Sequence, residues 1–137
     1  MNVDEQVIAR DLGCCVRCGK HVAHLERGFA WSIHHRRPRG KGGTSLAWVG
    51  AAANLIVLCG SGTTGCHGWI ESHRADARAD GHLVPLNGIV RADEVAVRHA
   101  GLGLVLLTDE GGWRPVEEGP TPESMEGEGS WASSAVS

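Results

Sequence analysis

The spacing of apolar residues predicts short helices and strands along the chain. Val3, Val7 and Ile8 recur at helical spacing and predict a helix over residues 3–12 that ends before Gly13. The other predicted elements are a half-buried strand of alternating residues from Phe29 that ends at His34 and His35, a buried strand over 55–58, a helix over 67–80 ended by Gly81, and two short strands over 82–84 and 102–108.

These elements predict a small α+β fold in four parts. The parts are an N-terminal helix (1–13), a core that carries the conspicuous Cys and His residues (14–81), a β-rich extension (82–116) and a disordered acidic tail (117–137). The tail has acidic residues but no basic one, beside Gly, Ser and Pro, and this composition is typical of disorder. The net charge of −3 therefore hides a mildly basic body.

Composition narrows the class of protein further. A chain of 137 residues, 42% of them apolar, can form one domain with a modest core. No apolar run approaches the roughly 18 residues of a membrane span, and the N-terminus lacks the pattern of an export signal. We therefore expect a cytoplasmic protein with no membrane partner, whose five Cys stay reduced. Eight His beside these Cys point to metal binding.

Four cysteines have the spacing of a zinc site. Cys15 and Cys18 form a C-x2-C turn, which brings two thiolates to one ion. A second pair, Cys59 and Cys66, is separated by the wider insert GSGTTG, whose glycines allow it to fold back. The alternative is that all are ordinary buried thiols. Two pairs, each at a turn and beside a glycine, favour a structural Zn²⁺ with Cys14 as the spare thiol.

Beyond the cysteines, three sequence blocks follow in a distinctive order. They read HHRRPRGKGG, NLIVLC and CHGWIESHR. Together with the zinc pair, this order over about residues 14–80 resembles the HNH endonuclease family, and more narrowly the small HNH proteins of tailed bacteriophages. The resemblance implies a zinc-stapled ββα-metal core, in which two strands and a helix hold one divalent cation.

The resemblance also assigns roles to single residues. In the family's paired motif the first residue is a metal ligand and the second is the general base, which makes His34 the ligand and His35 the base. Adjacent strand residues point to opposite faces, so the two can divide these roles only where the strand ends or distorts. The family's Asn corresponds to Asn54, whose side chain would orient the imidazole of the base. Its last His corresponds to His67, a second metal ligand.

The third ligand to this cation stays open between two residues. The family often has a further ligand about one helical turn after the last His. Here Glu71 stands four residues after His67, and His73 stands six residues after it. Glu71 shares a helical face with His67, whereas His73 lies well round the helix.

A basic loop follows the two histidines directly. Its cations are Arg36, Arg37, Arg39 and Lys41. They could bind the phosphates of DNA, and each such contact adds affinity that weakens with salt. A solvated basic turn is the alternative, but the neighbouring histidines favour DNA contact.

Together these residues predict a metal-dependent endonuclease that hydrolyses DNA phosphodiester bonds, by nicking or by double-strand cutting. A neutral imidazole is a competent base near neutral pH, and a cation such as Mg²⁺ or Mn²⁺ stabilises the leaving oxygen. The resemblance implies a phage role in DNA packaging, with terminase and portal proteins as partners. Two alternatives stay open: a catalytically idle zinc module that binds DNA or a packaging partner, and a site-specific nuclease of the homing or restriction type.

Overall fold

The computed structural model describes residues 1–38, 46–85 and 90–116, which form short helices and two small sheets, so the predicted α+β class is confirmed. The elements are α1 (Val3–Arg10), β1 (Trp31–His35), β2 (Leu55–Cys59), α2 (Gly65–Ser72), α3 (Arg74–Ala79), β3 (Val97–His99), β4 (Gly103–Leu107) and β5 (Trp113–Pro115), with 3₁₀ turns at Ala47–Gly50, Ala52–Asn54 and Ala92–Glu94. Arg39, Lys41 and the predicted disordered tail (117–137) lie outside the described residues. Within the described ranges, no helix has the length and apolarity needed to cross a membrane.

Helix α1 begins with a capping box. The Asn2 side chain accepts a hydrogen bond from the Glu5 N–H at 2.8 Å, and the Glu5 carboxylate accepts one from the Asn2 N–H at 3.0 Å. The helix ends at Arg10, earlier than predicted, because Leu12 and Gly13 have φ angles of 61° and 69°. This left-handed backbone cannot continue a right-handed helix.

Strands β1 and β2 form an antiparallel hairpin that separates two hydrophobic clusters. Because strand side chains alternate, each face of the hairpin serves one cluster. Trp31 and Val57 pack on one face with residues of α1, and Ile56 packs on the other face with residues of α2 and the C-terminal extension. His34 pairs with Ile56 and therefore lies on the face toward α2.

The predicted helix over 67–80 is divided into two helices. The break is at His73, whose φ of −130° and ψ of 57° are not helical. Just before it, the Ser72 hydroxyl donates to the carbonyls of Gly68 and Trp69 at 3.2 and 3.1 Å. Such bonds from Ser to the preceding turn weaken and bend a helix, which explains why α2 ends here.

The C-terminal extension forms an antiparallel sheet in the order β3-β4-β5. The predicted strand over 102–108 corresponds to β4, but the predicted strand over 82–84 is wrong. That segment is buried as irregular chain, and its Val84 N–H donates to the Arg36 carbonyl at 2.8 Å. Strands β3 and β5 have three residues each, too few for alternation to predict them. The sheet shares its hydrophobic cluster with β2 and α2, so the extension is part of the core.

A buried polar network joins the two ends of the described chain. The Asp11 carboxylate accepts hydrogen bonds from the Arg10 guanidinium at 2.8 and 2.9 Å and from the Val57 N–H at 3.0 Å. It also lies 3.0 Å from Nε2 of His99, in the extension. Arg10, Asp11 and His99 are all buried, so these contacts fasten α1 to β2 and to the extension away from water.

Candidate metal centres

Four cysteine sulfurs from distant parts of the chain meet beside the hairpin. The Sγ atoms of Cys15, Cys18, Cys59 and Cys66 all lie within 4.8 Å of one another, and those of Cys18 and Cys59 are 3.8 Å apart. Zn–S bonds of about 2.3 Å in a tetrahedron place sulfurs roughly 3.8 Å apart, whereas a disulfide needs about 2.05 Å. This cluster is therefore compatible with a structural zinc ion. Cys14 is not among the four.

Local backbone geometry builds the cysteine cluster. The Cys18 N–H donates to the Cys15 sulfur at 3.5 Å, and the Cys66 N–H donates to the Cys59 sulfur at 3.4 Å. In the second loop, Gly60 has a φ of 85°, and a Cβ there would collide with the backbone four residues further on. The insert GSGTTG thus folds back tightly enough for the wider pair to meet the narrow one.

The electrostatics of the cluster link metal binding to pH. Burial raises the pKa of the Cys15 and Cys66 thiols. Because a zinc ligand is a thiolate, binding must displace these protons and weakens as the pH falls. Arg17 lies beside the cluster, donating to the Cys66 sulfur at 3.4 Å and stacking 3.7 Å from the centroid of the Trp69 ring. Its charge would offset part of the charge of the thiolates.

A second group of metal-ligating side chains lies where β1 faces α2. One donor atom from each of His34, His67 and Glu71 lies within 4.8 Å of the others, and the two imidazole centroids are 5.0 Å apart. His67 and Glu71 are four residues apart and so lie on one face of α2. Imidazole and carboxylate ligands both suit divalent cations. The group could therefore hold a metal ion.

Hydrogen bonds orient both imidazoles of this group. Nε2 of His34 lies 3.1 Å from the carbonyl oxygen of His82. Because a carbonyl only accepts, Nε2 carries the proton, and Nδ1 keeps its lone pair for a metal. Nδ1 of His67 lies 2.9 Å from the Ser32 hydroxyl, and a proton on Nδ1 would leave Nε2 for a metal.

The charge states of these imidazoles suit metal ligands. Burial, followed by the neighbouring His67 ring, lowers the pKa of His34 to about 3. Burial also lowers the pKa of His67. Both rings are therefore neutral near pH 7, which is the form that binds a metal.

His35 follows His34 directly in the chain and is not among the three residues of this group. It is the last residue of β1, it is half-buried, and the chain bends directly after it. By the alternation of β1, the His35 side chain starts from the face opposite that of His34, at the strand end where the backbone bends.

Asn54 forms hydrogen bonds with the backbone near His35, in place of the predicted contact with the His35 imidazole. Its Oδ1 accepts from the Arg37 N–H at 2.8 Å, and its Nδ2 donates to the carbonyls of Arg37 and Val49 at 3.1 and 2.7 Å. Asn54 is fully buried, so these bonds are shielded from water. The predicted direct role is therefore corrected: Asn54 fixes the chain two residues after His35.

His73 lies apart from the other predicted ligands. Its ring stacks on Trp69, with centroids 4.3 Å apart and an interplanar angle of 7°. Its Nδ1 lies 3.0 Å from both the Ser72 hydroxyl and the Trp69 carbonyl. The end of α2 at Ser72 turns His73 away, so the structure brings Glu71, and not His73, to the two imidazoles.

The predicted phosphate contact by Arg36 is wrong. Its side chain is fully buried, and the guanidinium donates to the carbonyls of Gly81, Ala53, Ala92 and Val95 at 2.7–3.0 Å. The reason is that side chains alternate between the two faces of a strand. The Arg36 N–H still bonds the Asn54 carbonyl at 2.7 Å, so Arg36 continues the inner face on which His34 lies.

Arg37 is the one described cation of the basic loop that stays near the surface. It is half-buried, and its guanidinium donates to the Pro85 carbonyl at 3.1 Å. The guanidinium also lies 5.7 Å from the centroid of the Trp48 ring. Arg37 therefore stays a candidate for phosphate contact, together with Arg39 and Lys41 outside the described residues.

Replacing Arg36 by Met should lower the free energy of unfolding by about 3 kcal/mol or more. The change leaves four buried carbonyls without their donor, and each unsatisfied group is costly. Urea unfolding of the purified variant measures the effect. Arg114→Met, at an exposed position of β5, is the matched control and should change stability by less than about 0.5 kcal/mol. Equal unfolding midpoints for the two variants would contradict the structural role of Arg36.

Sequence patterns miss two residues beside the second metal group. Ser32 lies two residues before His34 on the same strand face, so alternation alone could have identified it. His82 contacts His34 from 48 residues further along the chain, and no local pattern signals this contact.

Comparison of the chain with protein-family models, with curated proteins and with solved structures gives no match. In the described part of the chain, the structure brings predicted ligand residues into two metal-ligating groups, one of four cysteines and one of two histidines and a glutamate.

Proposed function

We propose that the protein is a metal-dependent DNA endonuclease of the HNH type. The observation that carries the proposal is the convergence of His34, His67 and Glu71, with His35 next to His34 in the chain. The chain order of β1, β2 and α2 also supports it, because a ββα-metal unit has two strands followed by a helix. In this interpretation the cysteine cluster holds the structural Zn²⁺ that stabilises so small a core.

The residues divide the work of phosphodiester hydrolysis as follows. A divalent cation held by His34, His67 and Glu71 would supply Lewis-acid stabilisation of the phosphate and the leaving oxygen. His35 accepts the proton of the attacking water, and Asn54 holds the backbone after it. Two imidazole ligands favour Mn²⁺ over Mg²⁺, which prefers oxygen ligands, so we expect faster cleavage with Mn²⁺.

The proposal is tested with supercoiled plasmid DNA. Purified zinc-loaded protein should convert it to relaxed or linear DNA when Mn²⁺ or Mg²⁺ is added, and His35→Ala prepared in parallel controls for contaminating nucleases. No product with any divalent metal would instead support the idle zinc module. A discrete cleavage pattern on a long DNA would support a site-specific nuclease.

A comparison of Glu71 and His73 tests the third ligand. Glu71→Ala should weaken the binding of the catalytic cation by at least roughly tenfold, so that raised Mn²⁺ partly restores cleavage. His73→Ala should behave like the wild type, because its ring lies on Trp69.

The variant Glu71→Ala also removes an ion pair of 2.7 Å with Arg74. Arg74→Ala removes the same pair but keeps the carboxylate, so it should leave the Mn²⁺ requirement unchanged. The assignment of Glu71 is wrong if His73→Ala, and not Glu71→Ala, shows the defect that Mn²⁺ restores.

A further inference from the structure

His82 connects the second metal group to the C-terminal extension. Its backbone carbonyl lies 3.1 Å from Nε2 of His34, and its own ring Nε2 lies 2.9 Å from the carbonyl of Arg98 in β3. Carbonyls only accept hydrogen bonds, so both Nε2 atoms are donors. The His34 ring therefore donates to the peptide of His82, and the His82 ring in turn donates to β3.

The peptide around His82 is fixed from several sides. Its N–H donates to the Ala77 carbonyl in α3 at 2.9 Å, and the preceding carbonyl, of Gly81, accepts from the buried Arg36 at 2.8 Å. A Cβ at Gly81 would collide with the Ala96 carbonyl, which shows how closely the segment lies against the chain before β3. The carbonyl that meets His34 is thus held in a set position.

If packing were the only role of the His82 ring, a histidine would be less favourable at this position than an apolar residue. The residue is 2% exposed, and among the residues that the structure describes, no group forms a hydrogen bond with its Nδ1. A buried acceptor without a partner is destabilising, and an apolar side chain of similar size would avoid that penalty. The Nε2–H bond to β3 is therefore the contact that explains a histidine here.

We propose that His82 is a positioning residue for the metal ligand His34. By anchoring its own peptide to β3, the His82 ring keeps its carbonyl against Nε2 of His34, which fixes the tautomer that leaves Nδ1 for the cation. Partners of this kind, one shell beyond the ligands, commonly govern metal affinity. The inference rests on the proposed function, because it takes His34 as a ligand. Through His82, the C-terminal extension would help to set the geometry of the proposed nuclease site.

Two amide variants of full-length, zinc-loaded protein test the role of His82. The side-chain amide of Gln reaches the position of Nε2, so His82→Gln should keep the bond to the Arg98 carbonyl and bind Mn²⁺ within about threefold of the wild type. The amide of Asn is one bond shorter and falls short of that carbonyl. His82→Asn should therefore bind Mn²⁺ roughly 10- to 100-fold more weakly.

Mn²⁺ affinity is measured by titration with the electron paramagnetic resonance signal of free Mn²⁺, which needs no catalysis. Zinc content and the unfolding midpoint check that each variant is folded. In the cleavage assay, His82→Asn should recover most of its rate at saturating Mn²⁺, as expected when affinity and not chemistry is impaired.

The outcomes separate the inference from the proposed function. If the wild type binds Mn²⁺ no more tightly than His34→Ala does, His34 is not a ligand and both proposals fail. If His34→Ala weakens binding but His82→Asn binds like the wild type, the proposed function stands and the inference is overturned. Equal weakening in Gln and Asn variants that retain their zinc would also overturn it, because the Nε2–H bond would then not matter.

Discussion

Replacing His35 by Ala should lower the rate of DNA cleavage by roughly 10²- to 10⁴-fold, which is the usual scale for loss of a general base. Mn²⁺ affinity should not change, because His35 lies outside the group formed by His34, His67 and Glu71. Single-turnover cleavage of plasmid DNA measures the rate, and a Mn²⁺ titration of the same sample measures the affinity.

The matched variant His34→Ala should fail in a different way. It removes the proposed ligand His34, whose ring is neutral and oriented for metal binding, so Mn²⁺ affinity should fall and raised Mn²⁺ should partly restore cleavage. His67→Ala should resemble it. His24→Ala, at an exposed position remote in sequence from these ligands, should leave both quantities unchanged. If Mn²⁺ rescues His35→Ala and not His34→Ala, the two roles are exchanged.

Replacing Cys59 by Ser should release zinc and unfold much of the described core. The cluster joins the turn after α1 to the hairpin and to α2, and Cys15 and Cys66 are themselves part of the main hydrophobic cluster. Structural zinc in small domains binds with an apparent free energy of about 10–16 kcal/mol, which is available to folding. Elemental analysis and thermal unfolding measure the two effects.

Cys14→Ser is the control for this prediction. Its thiol lies outside the cluster and donates to the Leu12 carbonyl at 3.3 Å, so its loss should leave the zinc content unchanged. Native protein without zinc, or a Cys59→Ser variant with unchanged zinc content and melting, would refute the structural site.

Local sequence patterns predict much of this fold, and the contacts that they do not predict have physical causes. Alternation predicts β1, a short apolar run predicts β2, and helical spacing puts Glu71, ahead of His73, on the face of His67. The phosphate contact predicted for Arg36 from the charge of its loop is wrong, because the alternation of β1 continues for one more residue and places this side chain on the inner face. The contacts of Asn54 and His82 arise between segments far apart in sequence, and their tertiary packing leaves no trace in local spacing.

The buried contacts of Arg36 and Asp11 bear on how much of the chain is an autonomous folding unit. The segment with the family resemblance runs from about residue 14 to 80, yet the Arg36 guanidinium needs carbonyls from residues 81, 92 and 95. Excision after Gly81 would remove the Ala92 and Val95 carbonyls that accept from this cation, and removal of residues 1–13 would take away Asp11, which fastens β2 to the extension. A fragment cut at the motif boundaries would therefore lose part of its buried contacts, and the same segment grafted into another protein would need both flanks.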